Sequence, residues 1–125
     1  MRTKVMVVDD SMMVRQQVSR ALANAGFDVT EATDGVDALE KLRASPDFDL
    51  VVCDVHMPRM SGVELLQEMS EDATVAGTKV VMLTTEAQQE PIRRAMALGA
   101  KAWILKPFKA ELLVAAVKKI TAKAA

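Results

Sequence analysis

Five polar residues stand where short apolar runs of the chain end. Asp9 and Asp10 follow Val5-Met6-Val7-Val8, and Asp54 follows Leu50-Val51-Val52-Cys53. Thr84 follows Val80-Val81-Met82-Leu83, and Lys106 follows Ala102-Trp103-Ile104-Leu105. One at a time these residues say little. An Asp or Ser at a strand end commonly caps the next helix, so Asp10 or Ser11 alone would be read as a cap. A Lys before Pro is ordinarily a solvated loop residue, and Thr84-Thr85 alone reads as turn chemistry. Their recurrence at four run ends asks for a joint explanation. Three carboxylates brought together repel and raise one another's pKa values. A hard divalent cation such as Mg²⁺, which prefers carboxylate and carbonyl oxygens plus several waters, relieves that conflict. Lys106 adds a second positive charge, and the Thr84 hydroxyl adds a hydrogen-bond donor. A carboxylate nucleophile, a metal, a cation and a hydroxyl are the parts needed to form an aspartyl-phosphate.

Whether these residues meet depends on the elements that carry them. The apolar runs are continuous, as in strands buried on both faces, and between them the hydrophobic period changes to that of a helix. Val14, Val18, Leu22 and Ala25 fall on one helical stripe that Gly26 ends. Phe27 to Thr30 reads as a second strand, and Asp34-Gly35 opens a short helix with Val36, Leu39 and Leu42 inward. Ser61 and Glu64 have capping-box spacing before Leu65, Leu66 and Met69. Pro91 suits the first turn of a helix running to Leu98, which Gly99 caps. A last helix starts at about Lys109. Five strand-then-helix units predict an α/β fold, a five-stranded parallel sheet with helices on both faces. Ligand sites in such sheets lie beyond the carboxyl ends of the strands, at the point where strand order reverses. Strands 1 and 3 flank that point if the order is 2-1-3-4-5, so Asp9, Asp10 and Asp54 would converge.

At 125 residues the chain fits one domain, 1–125. A net charge of −1 gives no general pull toward nucleic acid or an anionic membrane. The lone Cys53 excludes an internal disulfide and suits a reducing compartment. The apolar run near the N-terminus is far too short for a signal peptide or a membrane span. A cytoplasmic protein, monomeric or weakly dimeric, is expected.

Four segments resemble the receiver domains of two-component response regulators, in particular the single-domain chemotaxis type. They are Val7-Val8-Asp9-Asp10-Ser11, Asp54-Val55-His56-Met57-Pro58-Arg59-Met60-Ser61-Gly62, Leu83-Thr84-Thr85-Glu86-Ala87 and Lys106-Pro107-Phe108. The resemblance covers essentially the whole chain and supports the flavodoxin-like order 2-1-3-4-5. It implies that Asp54 is the phospho-acceptor, taking a phosphoryl group from a histidine kinase or phosphotransfer protein. It implies that Asp10 and Asp54 bind Mg²⁺ directly, that Asp9 assists through water, and that His56 lends its backbone carbonyl. Lys106 would contact the phosphate, Thr84 would be the switch hydroxyl, and Trp103 takes the position of the switch aromatic. A cis Lys106-Pro107 bond is implied as well.

Several residues carry two readings. His56 stands two positions after the phospho-site, where many family members have a smaller or amide side chain. A zinc set would need a second His, which the chain lacks. A loop residue lending its carbonyl is the simpler reading, although His56 and Glu86 would flank the phosphate and tune dephosphorylation. Cys53 precedes the nucleophile among apolar neighbours and reads as packed, and the nine methionines read mostly as core. In the last helix Leu113, Ala116, Val117 and Ile120 fill a core stripe, leaving Leu112 and Val114 over. With Ile92, Trp103 and Leu105 these two would form an apolar docking patch for a downstream target. A helix with broader burial explains them equally well.

Other functions fit less well. A Mg²⁺-dependent phosphohydrolase working through an aspartyl-phosphate usually needs a second Asp two residues on, where His56 stands. A flavin- or nucleotide-binding module would want a Gly- or Ser/Thr-rich loop after the first strand, and Asp9-Asp10 would repel its phosphate. A transcription factor would need an output domain after Lys119.

Overall fold

The computed structural model describes residues 2–84 and 89–122. Strands β1 (Lys4–Val8), β2 (Asp28–Ala32), β3 (Leu50–Asp54), β4 (Lys79–Thr84) and β5 (Ala102–Leu105) alternate with helices. These are α1 (Met12–Asn24), α2 (Gly35–Ala44), α3 (Gly62–Ser70), α4 (Gln89–Ala97) and α5 (Ala110–Thr121). The sheet order is β2-β1-β3-β4-β5, and every pairing is parallel. The alternation of periods predicts the parallel α/β sheet, and the resemblance supports its order.

Strand periodicity divides the core into two layers. Met6, Val8, Val51, Cys53, Val80 and Met82 point to the face that Leu39 and Leu42 of α2, Leu65 and Met69 of α3 and Ala95 of α4 cover. Val5, Val7, Leu50, Val52, Val81 and Leu83 point to the opposite face, under Val18 and Leu22 of α1 and Leu113 and Val117 of α5. Cys53 is fully buried in the first layer, in keeping with a packed residue.

The differences from the sequence reading are local and have physical causes. β2 begins and ends later than Phe27–Thr30 because the end of α1 uses Phe27. Gly26, at φ 98, and Phe27 donate to the carbonyls of Ala23 and Leu22 at 3.0 and 3.1 Å, closing the helix in a Schellman motif. Gly99 and Ala100 close α4 in the same way, on Met96 and Ala95. Val36 is only half-buried, and Ala38 takes the inward place beside Leu39 and Leu42. β5 is not buried on both faces as its unbroken apolar run suggests. It forms the sheet edge, its burial alternates, and Trp103 and Leu105 are about half exposed, at 48% and 49%. In α5, Val114 packs against the layer under α1 and α5, whereas Leu112 is 64% exposed. Ile92 packs against the other layer. Not all methionines are core residues: Met12, Met13 and Met96 are exposed.

Candidate functional site

The first two carboxylates hang from the end of β1. Asp9 is fully buried, and its backbone N–H continues the ladder to the Ala32 carbonyl at 3.2 Å. Its Oδ1 accepts from the Ser11 N–H at 2.8 Å, while Ser11 caps α1 by accepting from the Val14 N–H. Ser11 is therefore the cap, and the exposed Asp10 is left for other work. Asp54 is the last residue of β3 and nearly buried. The pairing of β1 with β3 brings the two strand ends together. One ligand oxygen each from Asp9, Asp10 and Asp54 lies within 4.8 Å of the others. Three acidic oxygens at that spacing, one of them open to solvent, make a donor set that suits a hard divalent cation.

Lys106 reaches this cluster from the end of β5. Its N–H donates to the Thr84 carbonyl at 2.7 Å, which carries the β4–β5 pairing one residue further. From there its Nζ donates to Asp54 Oδ1 at 3.0 Å and to Asp9 Oδ2 at 3.2 Å. The Lys106-Pro107 bond is cis, as the resemblance implies. Burial raises the Asp54 pKa, the bond to Lys106 opposes that, and the Asp9 charge adds to it, leaving the pKa above the usual carboxylate value. Burial also acts to lower the Lys106 pKa. The bond to Asp54 and the charges of Asp54 and Asp9 outweigh it, so the ammonium is held more firmly than in water.

Thr84 ends β4 with almost no exposure. His56 lies exposed just after Val55, beside a cleft of about 170 Å³ that Ser61, Glu90 and Arg94 help to line. Trp103 lies on β5 in register with Met82, outside the acidic cluster. Glu86 falls outside the described residues.

Gly62, at the start of α3, keeps the loop after β3 close to the strand. Its N–H donates to the Val55 carbonyl at 2.8 Å. A Cβ there would collide with the Asp54 carbonyl oxygen and lie 2.7 Å from Met82 Cε. The capping box is present in full: the Glu64 N–H donates to the Ser61 hydroxyl at 3.1 Å, and the Ser61 N–H to Glu64 Oε1 at 3.0 Å.

Two arginines that the sequence reading passed over support the site. The Arg15 guanidinium donates to the Asp9 carbonyl at 2.8 Å and to Glu31 Oε1 at 2.9 Å. A cation near the start of a helix works against the helix dipole, and that was the available clue. Arg59 forms a two-pronged pair with Asp34, which holds the Asp34 carboxyl below the usual range.

A sequence model of the response regulator receiver domain matches residues 5–118. The chain belongs to that family. Among similar receiver proteins, the chemotaxis protein CheY of Treponema pallidum is 42% identical over 107 residues, covering 84% of this chain and 73% of that one. CheY-3 of Vibrio cholerae is 40% identical over 118 residues, covering 94% and 90%. The solved structure of Vibrio cholerae CheY4 matches with a TM-score of 0.89 at 38% identity, over 96% of this chain and 99% of that one. The sequence resemblance to chemotaxis-type receivers and the expected strand order both stand. This receiver domain is accordingly a phosphorelay signalling protein, and a phosphohydrolase reading is not favoured. Among the described residues no helix is long and apolar enough to cross a membrane.

Proposed function

We propose that Asp54 is the phospho-acceptor and that the chain works as a switch which turns over no substrate but its own phosphate. The observation that carries this is the bridge Lys106 makes between Asp54 and Asp9, at the point where three carboxylates meet. An Asp54 carboxylate oxygen attacks the phosphorus of a phospho-histidine on a kinase or phosphotransfer protein. The new O–P bond forms as the N–P bond breaks, and that electron pair returns to the imidazole nitrogen. Lys106 keeps its proton throughout, because its neighbours raise its pKa, and balances charge on the phosphoryl oxygens. The Thr84 hydroxyl donates to one of those oxygens once the group is in place.

Asp10 and Asp54 would hold Mg²⁺ directly, Asp9 through water and His56 by its backbone carbonyl. Bound there, the ion would neutralise charge on the transferring group. His56, with Glu86, tunes the access of water and so the lifetime of the phosphate. The output surface is the α4-β5-α5 face, where Trp103, Leu105 and Leu112 are exposed and Ile92 lies at the margin. A downstream target protein docks there. One receiver domain spanning 1–125, cytoplasmic, away from membrane and nucleic acid, and monomeric or weakly dimeric completes the reading.

Incubation with an acyl-phosphate donor and Mg²⁺ should add one base-labile phosphate, seen as a single mass increment. The Asp54→Asn variant should show none, and equal labelling of that variant would refute the assignment.

A further inference from the structure

The loop between Val55 and Ser61 carries the His56 carbonyl, and its shape is held from outside the acidic cluster. Arg59 is the middle residue of a three-residue turn in which the Met60 N–H donates to the Pro58 carbonyl at 2.7 Å. Its φ is 66, a region that residues other than glycine seldom occupy, and a γ-turn with positive φ is strained. Something must hold it. The Arg59 Nε donates to Asp34 Oδ2 at 2.7 Å and Nη2 to Asp34 Oδ1 at 3.0 Å. Asp34 is a firm anchor: it is 6% exposed and caps α2, accepting from the Asp37 N–H at 2.9 Å. One residue along, a Cβ on Gly35 would lie 2.7 to 2.8 Å from the Cγ, Cβ and carbonyl oxygen of Met60. The loop is thus fastened at two adjacent points to the start of α2, an element that gives no residue to the acidic cluster.

We propose that the Arg59–Asp34 pair is a positioning device for cation binding, fixing the loop whose His56 carbonyl completes the metal site; this rests on the Mg²⁺ reading above. Arg59 and Asp34 touch neither the phosphoryl group nor the metal in this scheme. They act through the loop.

Charge alone makes the opposite prediction, which gives the test its sign. Removing a positive side chain from the loop that follows Asp54 should, if it does anything through charge, tighten the binding of a cation, whereas releasing the loop should weaken it. Calorimetric titration with Mg²⁺ compares the unaltered chain with Arg59→Gly, Asp34→Asn and the double variant. Glycine accepts a φ of 66 without strain, so Arg59→Gly leaves the turn accessible but unfastened, and a loss of affinity reports the lost anchor and not new strain. The expected result is Mg²⁺ affinity about 10-fold weaker for Arg59→Gly, the scale seen when partners behind metal ligands are lost. The double variant should bind no more weakly than the weaker single variant, because both changes break one bridge. Melting curves in chelator verify that each variant is folded. Arg59→Gly affinity equal to or tighter than that of the unaltered chain overturns the inference. Failure of the unaltered chain to bind Mg²⁺ overturns the metal reading, and the inference with it.

Discussion

Burial raises the Asp54 pKa, and the Lys106 ammonium only partly offsets it. A carboxyl whose pKa is higher in the folded than in the unfolded chain makes folding more favourable when protonated. That benefit is full below the unfolded value of 3.8 and is lost as pH rises through the folded pKa. At pH 7 the charged Asp54 therefore burdens the cation-free fold, as groups kept for function often do. Asp54→Asn should be more stable than the unaltered chain in chelator at neutral pH, by roughly 0.5–2 kcal/mol. The gain should fade as pH drops toward 3.8, and urea unfolding at a series of pH values checks both sign and window. Lys106 does not disturb that window. Its pKa is raised, so its contribution is complete below 10.5 and goes only at higher pH. Next to Asp54, burial and the charges of Asp54 and Asp9 push the Cys53 thiol far above the ordinary range. The native chain should resist a thiol-alkylating reagent and take up one equivalent only when unfolded, as read by mass.

At the scale of elements, the loop after β3 depends on how closely α3 starts to the end of that strand. Gly62→Ala would push a methyl into the Asp54 carbonyl, so it should destabilise the fold by roughly 1–3 kcal/mol. Ser61→Ala removes one half of the capping box at a cost of about 1 kcal/mol and leaves Gly62 in place. Denaturation midpoints rank the two, and only Gly62→Ala should also slow phosphorylation. The capping box and the glycine stops were legible because each is a local signal with one meaning. The exposure of β5 was not local. Ala102-Trp103-Ile104-Leu105 reads like the other strands, and only its last place in the order 2-1-3-4-5, which the resemblance supports, says that one side is open. Val114 shows the same limit: helical spacing leaves it beside the core stripe, but the groove against α1 receives it. The three carboxylates were found because they stand at the ends of β1 and β3, which the fold class places side by side. Arg15 and Arg59 were not, because their partners, Asp9, Glu31 and Asp34, are chosen by tertiary contact and leave no spacing to read.

For the molecule as a whole, the question is how a phosphate at the end of the central strand, β3, changes a surface at the β5 edge of the sheet. Thr84 is buried at the end of β4, whereas Trp103, on the neighbouring strand, is 48% exposed. Phosphoryl oxygens on Asp54 would draw the Thr84 hydroxyl inward and vacate space that the residue at 103 can enter. A population shift from about 1:99 to about 99:1 takes about 5.5 kcal/mol. A few charge-assisted hydrogen bonds at about 1.5–3 kcal/mol each are enough to drive it. The indole is bulkier than the Tyr or Phe common here in the family, so we expect an inward rotamer that fills only in part. The chain has one Trp and no Tyr, which makes its tryptophan emission a report on position 103 alone. Mg²⁺ with beryllofluoride, a stand-in for the phosphoryl group, should shift that emission to the blue as the ring leaves water. Under the same conditions, NMR peaks of α4 and β5 should move part of the way toward an activated position. In a Trp103→Phe variant they should move further, because the smaller ring fits. Peaks that stay put in both proteins despite bound beryllofluoride would mean that Thr84 and position 103 are not coupled. Equal displacement in both would instead remove the steric argument while leaving the switch.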